Sequence, residues 1–206
     1  MEMRDIDFMW NGGETRRYHG FRMLMEDTVG HHSFNVACII MKVRPNASAA
    51  LLRAALKHDI SEHKVGDMPA PSKRAAPDYI LSDGKRMTFR EWFGNYEEEM
   101  ADDHGVSLGA DDLSPEETWV LKFADSLDGM RFCINEMLLG NRTPRLIMCY
   151  ETFAGYVATL LWPGRIDMNA IDMKLAPVDI PATDADKALY LAMTQRAFNA
   201  MRGQTI

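Results

Sequence analysis

The residue that most constrains the fold of this 206-residue chain is an aspartate standing where a core residue is due. In Val120-Leu121-Lys122-Phe123-Ala124-Asp125-Ser126-Leu127, Asp125 lies on the helical stripe shared by Leu121, Asp128 and Phe132. A carboxylate facing a core is costly unless it is paired or bound to a metal. The helix around it is well delimited. Ser114-Pro115-Glu116-Glu117 gives an N-cap serine, a proline in the first turn and a glutamate three residues after the serine, and Gly140 follows Leu139 as a terminator. Partners for Asp125 must come from elsewhere in the chain.

Two further segments offer them. Val29-Gly30-His31-His32-Ser33-Phe34-Asn35-Val36-Ala37 opens an apolar helix predicted over about residues 29–44, which Pro45 ends. His31 and His32 point about 100° apart, so the helix cannot offer both to one point. His32 is the one that shares the face of Val36, Ile39, Ile40 and Val43. A second helix is predicted from Asn46 or Ser48 to Glu62 or His63, with Gly66 as its C-terminal glycine. Near its end stands Lys57-His58-Asp59-Ile60-Ser61-Glu62, in which Glu62 lies one turn beyond His58 and Asp59. Neutral imidazole and carboxylate are the ligands a divalent cation takes from such residues. His63 falls at the surface or behind the ligands. Asp128 either supports the site or bonds a neighbouring helix.

The order of histidine, His-Asp pair and aspartate, each on its own amphipathic helix, resembles the HD-domain metal phosphohydrolases. More narrowly, Val29-Gly30-His31-His32-Ser33, His58-Asp59-Ile60-Ser61-Glu62, Gly66-Asp67-Met68-Pro69-Ala70-Pro71-Ser72-Lys73 and Lys122-Phe123-Ala124-Asp125 resemble the motif string of the YfbR-like 5'-deoxynucleotidases. The resemblance covers roughly residues 14–75 and 114–140. It implies an all-α HD-domain bundle around a buried metal site, held by His32, His58, Asp59 and Asp125. Glu62 and Asp67 would be catalytic, and Arg17, Tyr18, Lys73 and Lys122 would bind substrate. Tyr18 stands where those enzymes carry a tryptophan, a smaller wall for the sugar or base. The same motifs are similar to those of phage-encoded dATP triphosphohydrolases, which deplete dATP for phages with 2-aminoadenine genomes. Relatives form dimers or hexamers, so a homo-oligomer is expected.

Composition narrows the class further. The formal net charge of −7 argues against a nucleic-acid scaffold, which needs a basic surface, yet leaves room for a small anionic substrate on local Arg and Lys. No apolar run approaches the ~20 residues of a membrane span, and the N-terminus lacks the apolar segment of a signal peptide. A cytoplasmic protein is expected, within a host cell if phage-encoded. Cys38, Cys133 and Cys149 fall within apolar helical patterns and are read as reduced core thiols.

The remaining chain reads as one domain over residues 1–206. Residues 1–20 look mostly irregular, with Asn11-Gly12-Gly13 as a turn signal. Asp67 and Pro69-Ala70-Pro71 form a stiff loop. A hairpin insertion with an Asp83-Gly84 turn is predicted over about 78–90. It is either a solvated turn, a lid bringing Lys85 and Arg86 to phosphates, or a subunit contact. Helices follow at about 89–103, 115–139, 143–161 and 183–202, with a short helix or loop over 165–176. The pieces after residue 140 carry no readable chemistry.

The expected activity is metal-assisted hydrolysis of a 2'-deoxynucleotide, dATP giving deoxyadenosine and triphosphate. The alternative is a 5'-deoxynucleotidase acting on monophosphates, and a third is a nucleotide-binding HD protein without turnover. Mixed nitrogen and oxygen ligands leave Zn, Co, Mn, Mg and Fe open as the divalent ion.

Overall fold

The computed structural model describes residues 3–20, 22–66, 68, 76–106, 113–162 and 182–204. Its elements in chain order are α1 (Met3–Gly13), α2 (Val29–Val43), α3 (Ala49–Lys57), α4 (Glu62–Val65), β1 (Tyr79–Ile80), β2 (Arg86–Met87), α5 (Phe89–Asp102), α6 (Pro115–Leu138), α7 (Pro144–Leu161) and α8 (Asp184–Met201). Among the described residues the fold is all-α with one small antiparallel hairpin. Thr28, Ser48, Thr88, Ser114, Thr143 and Thr183 each accept a hydrogen bond from the backbone N–H three residues on, so side chains visible in the sequence start these helices.

Helix α6 is the axis of the core. It packs against α2, α3, α7 and α8, and Phe123, Leu127, Met130, Ile134 and Met137 along it are fully buried. Arg44 at the end of α2 ties α8 down, its guanidinium donating to Asp186 over 3.0 and 3.2 Å.

Two expectations are corrected. Residues 3–13 are helical rather than irregular. The glycines that read as a turn are instead where helices touch. A Cβ on Gly12 would stand 2.3 Å from the Ile60 carbonyl oxygen, and one on Gly30 of α2 would stand 3.0 Å from the Gly13 carbonyl oxygen. Only hydrogen fits at Gly12, and Phe8, buried on the same helix, packs with Ile60, Ala101 and Val106. The second correction is the helix carrying His58. Helix α3 stops at Lys57, and residues 58–61 are a turn whose backbone bonds tighten: Ile60 N–H donates to Lys57 O (3.0 Å) and Glu62 N–H to Asp59 O (3.1 Å). His58 and Asp59 therefore sit in a turn, not within a continuous helix.

The segment before α2 carries Arg17 and Tyr18. Its ends are clasped by Arg17 N–H donating to Asp27 O (3.0 Å) and Val29 N–H donating to Thr15 O (2.9 Å). Its middle is pinned to α6 by Glu136, fully buried, which accepts from the backbone N–H groups of Leu24 (2.9 Å) and Met25 (2.6 Å) and from Asn141 Nδ2 (2.6 Å). In the hairpin, Lys85 pairs with Asp83 at 3.2 Å and Arg86 with Asp78, so both cations are held by its own carboxylates.

Candidate metal centre

Helix α2 places His32 wholly out of solvent, and the turn after α3 places His58 and Asp59 beside it. His32 Nε2 is 3.3 Å from His58 Nε2, and Asp59 Oδ2 lies 3.6 Å from the first nitrogen and 3.5 Å from the second. Donors about 2.0–2.1 Å from a metal stand about 3.3 Å apart in a tetrahedral site and about 3.0 Å apart in an octahedral one. The triangle fits one face of such a site. Asp125 on α6 brings Oδ1 to 3.1 Å from His32 Nε2.

The outer sides of the two imidazoles explain why their Nε2 atoms converge. His32 Nδ1 lies 2.8 Å from Asp128 Oδ2, and His58 Nδ1 lies 2.9 Å from the Ala55 carbonyl oxygen. A carbonyl only accepts, so His58 carries its proton on Nδ1 and leaves Nε2 as a lone pair. Asp128 likewise holds the Nδ1 proton of His32, so that Nε2 is the nitrogen open to a second proton or to a metal, and is itself held by Arg131 Nε at 2.6 Å. The alternatives open for Asp128 resolve into one contact, which is both an interhelical bond and the support of His32.

Electrostatics follow the same pattern. Burial and Arg17 both disfavour protonated His32, but hydrogen bonds to Asp125 and Asp128 outweigh them and raise its pKa to about 9. Burial alone would raise the pKa of Asp125, yet His32 and His58 hold it well below the usual carboxylate range.

The predicted substrate residues divide. Arg17, its side chain 11% exposed, pairs with Asp27 at 3.5 Å and lies within the fields of Asp59 and Asp125. Tyr18 stacks on Phe132 (ring centres 4.5 Å apart), with the Arg17 guanidinium 5.3 Å from its ring centre. Its φ of 57° is rare for a bulky residue and is held by these contacts. Lys122, one turn before Asp125, is partly buried, which lowers its pKa, while Asp125 acts to raise it. Glu62 is buried at the start of α4. Asp67 and Lys73 lie outside the described residues. His31 points outward, its side chain 58% exposed and 3.3 Å from Asp27, and His63 packs on Phe8.

Sequence comparison adds to this geometry. The model of the YfbR-like 5'-deoxynucleotidase family matches residues 13–152, well over half of the chain. The chain belongs to that family. A 5'-deoxynucleotidase of Vibrio cholerae is 27% identical over 141 residues, which span 61% of this chain and 71% of that protein. The crystal structure of an HD-domain phosphohydrolase from Listeria innocua superposes with a TM-score of 0.55 at 19% identity, covering 96% of this chain and 98% of that one. The fold is thus the HD-domain helical fold, and the protein is a metal-dependent phosphohydrolase with a divalent ion as cofactor. Two Nε2 lone pairs and an aspartate oxygen on one small triangle suit that ion. No helix among the described residues is long and apolar enough to cross a membrane.

Proposed function

We propose that this protein is a 5'-deoxynucleotidase, removing phosphate from 2'-deoxynucleoside 5'-monophosphates in the cytoplasm as a homo-oligomer. The observation that carries this reading is the pair of imidazoles whose Nδ1 atoms are tied to Asp128 and Ala55, leaving both Nε2 atoms beside Asp59, with Asp125 3.1 Å from that of His32. The family match and the Vibrio cholerae relative favour the monophosphate over the dATP reading drawn from the sequence, whose support is the phage-like motif string alone.

His32, His58, Asp59 and Asp125 hold the cation, two neutral rings and two carboxylates balancing its charge. The ion, when bound, polarises the phosphoryl group and acidifies water. Arg17 and Lys122 bind phosphate oxygens and neutralise charge as it shifts in the transition state. Glu62 orients the attacking water and takes its proton. Asp67 and Lys73 complete the catalytic and phosphate-binding sets on sequence grounds. Tyr18, backed by Phe132, walls the deoxyribose or base.

The test is the phosphorus product. Metal-loaded protein is incubated separately with dAMP, AMP and dATP, and products are read by phosphorus NMR. Orthophosphate from dAMP in preference to AMP is expected. Intact triphosphate from dATP with no turnover of dAMP overturns this reading in favour of a triphosphohydrolase. No turnover of any nucleotide by protein that still binds dAMP would mark a sensor.

A further inference from the structure

Helix α7 reads as plain apolar packing, and Tyr156 within it lies beyond the matched residues 13–152. Its ring is 6% exposed, and among the described residues its hydroxyl has no hydrogen-bond partner. A buried phenol without a partner is costly, which asks what its O–H is for. The register of α7 on α6 locates it. These helices are consecutive and antiparallel, and a Cβ on Gly129 would stand 2.6 Å from the Phe153 ring, so those residues face each other. Cys133 and Cys149, four residues outward on each helix, face each other as well, their thiols hydrogen-bonded. Three residues the other way, the same register brings Tyr156 level with Ser126, beside Asp125 and about one turn from Lys122.

A third element arrives from the hairpin insertion. Arg90, in the first turn of α5, is close enough for its charge to act on both Lys122 and Tyr156, and Asp125 acts on the same two. Among the described residues neither Arg90 nor Lys122 makes an ion pair. Two cations and a phenol O–H thus lie within electrostatic reach of Asp125, a carboxylate that faces His32. Lys122, partly buried, and Arg90, exposed at the edge of the site, are like charges whose approach calls for an anion between them.

We propose that Tyr156 and Arg90 bind the substrate's phosphate together with Lys122, the phenol donating its O–H to a phosphate oxygen and the two cations flanking the anion. The role of the insertion is then to deliver Arg90, since Lys85 and Arg86 are held within the hairpin. Burial raises the pKa of Tyr156, so the O–H stays a donor throughout the neutral range. The proposal rests on the phosphohydrolase reading of the centre, and its test is made on phosphate alone so that the two can fail separately.

Inorganic phosphate is titrated into metal-loaded protein by calorimetry, and deoxyadenosine in parallel. A hydrogen bond to a charged acceptor predicts that Tyr156→Phe weakens phosphate binding by about tenfold or more. Deoxyadenosine binding and the melting temperature should not fall, because the phenyl ring fills the same space. Arg90→Gln should weaken phosphate about threefold to tenfold, and Arg90→Lys should restore most of it, as expected for a charge near an anion. Wild-type phosphate affinity in Tyr156→Phe would leave the phenol as packing and overturn the proposal. Equal weakening of phosphate and deoxyadenosine would also overturn it, as a general disturbance of the site. Should the protein prove inactive on dAMP, the phosphate affinities would still decide.

Discussion

Asp128→Asn tests the centre without touching a proposed ligand. Asp128 uses one oxygen to accept from His32 Nδ1 at 2.8 Å and the other to accept from Arg131 Nε at 2.6 Å. Asparagine has only one acceptor. If its oxygen keeps Arg131, its NH₂ faces His32 Nδ1, which must then accept, moving the ring proton to Nε2 where the ion would bind. If it turns the other way, two donors oppose each other at Arg131 inside the core. Either outcome weakens the centre, and loss of such a supporting carboxylate lowers metal affinity about 10–100-fold. With metal at about 100 times the wild-type Kd, binding stabilises the fold by about 2.7 kcal/mol, and a 100-fold weaker variant would keep about 0.4 kcal/mol. For a chain of this size the lost difference is about 5–9 °C of metal-dependent rise in melting temperature. Differential scanning calorimetry with and without metal, on both proteins, reads this number directly. The metal-free melts serve as the baseline, and work at pH 7 and again above pH 9 separates the tautomer effect from proton competition at His32. An undiminished metal-dependent rise in Asp128→Asn would refute the role assigned to Asp128.

Metal uptake should be proton-linked. The pKa of His32 is raised in the metal-free fold to about 9 against 6.5 unfolded, so its stabilising charge is fully present below about pH 6.5 and lost as pH rises through about 9. Metal needs the neutral ring, so affinity measured by chelator competition should climb about tenfold per pH unit below that pKa and level off above it. Glu62→Ala should leave metal content intact while cutting turnover at least ~100-fold, whereas Asp125→Ala should lose the ion; elemental analysis beside a dAMP assay separates the two. Gly12→Ala would drive a Cβ to 2.3 Å from the Ile60 carbonyl oxygen, and a destabilisation of about 1–3 kcal/mol is expected in urea melts.

The parts of this protein that were legible in one dimension are those whose partners are local. Capping side chains act on N–H groups three residues away, which is why Ser114-Pro115-Glu116-Glu117 marks the start of α6 to the residue. The helical stripe through Leu121, Asp125 and Asp128 could be read for the same reason, although only Asp128 is buried and Asp125, its side chain 38% exposed, stands at the rim of the centre. The break after Lys57 was not readable. The run around His58 has helix-forming neighbours throughout, and the turn exists because Ile60 is drawn toward Gly12 and Phe8, more than forty residues earlier in the chain.

The same reasoning explains why α1 reads as a turn and α7 as plain packing. Asn11-Gly12-Gly13 is a strong local turn signal, but a glycine that admits a neighbouring backbone looks identical in sequence to one that permits a positive φ. Only the approach of Ile60 O and Gly30 distinguishes them. Tyr156 shows the converse. A tyrosine within an apolar helix reads as packing, and nothing nearby in sequence says where its hydroxyl ends. The antiparallel register of α7 on α6, set by Gly129 under Phe153, brings that hydroxyl toward Asp125 and Lys122. Chemistry assembled by contacts between distant segments is therefore where a structure adds most to a motif string. In this family member that addition lies at the C-terminal side of the centre, where the motifs end and a helix of ordinary composition lines the site.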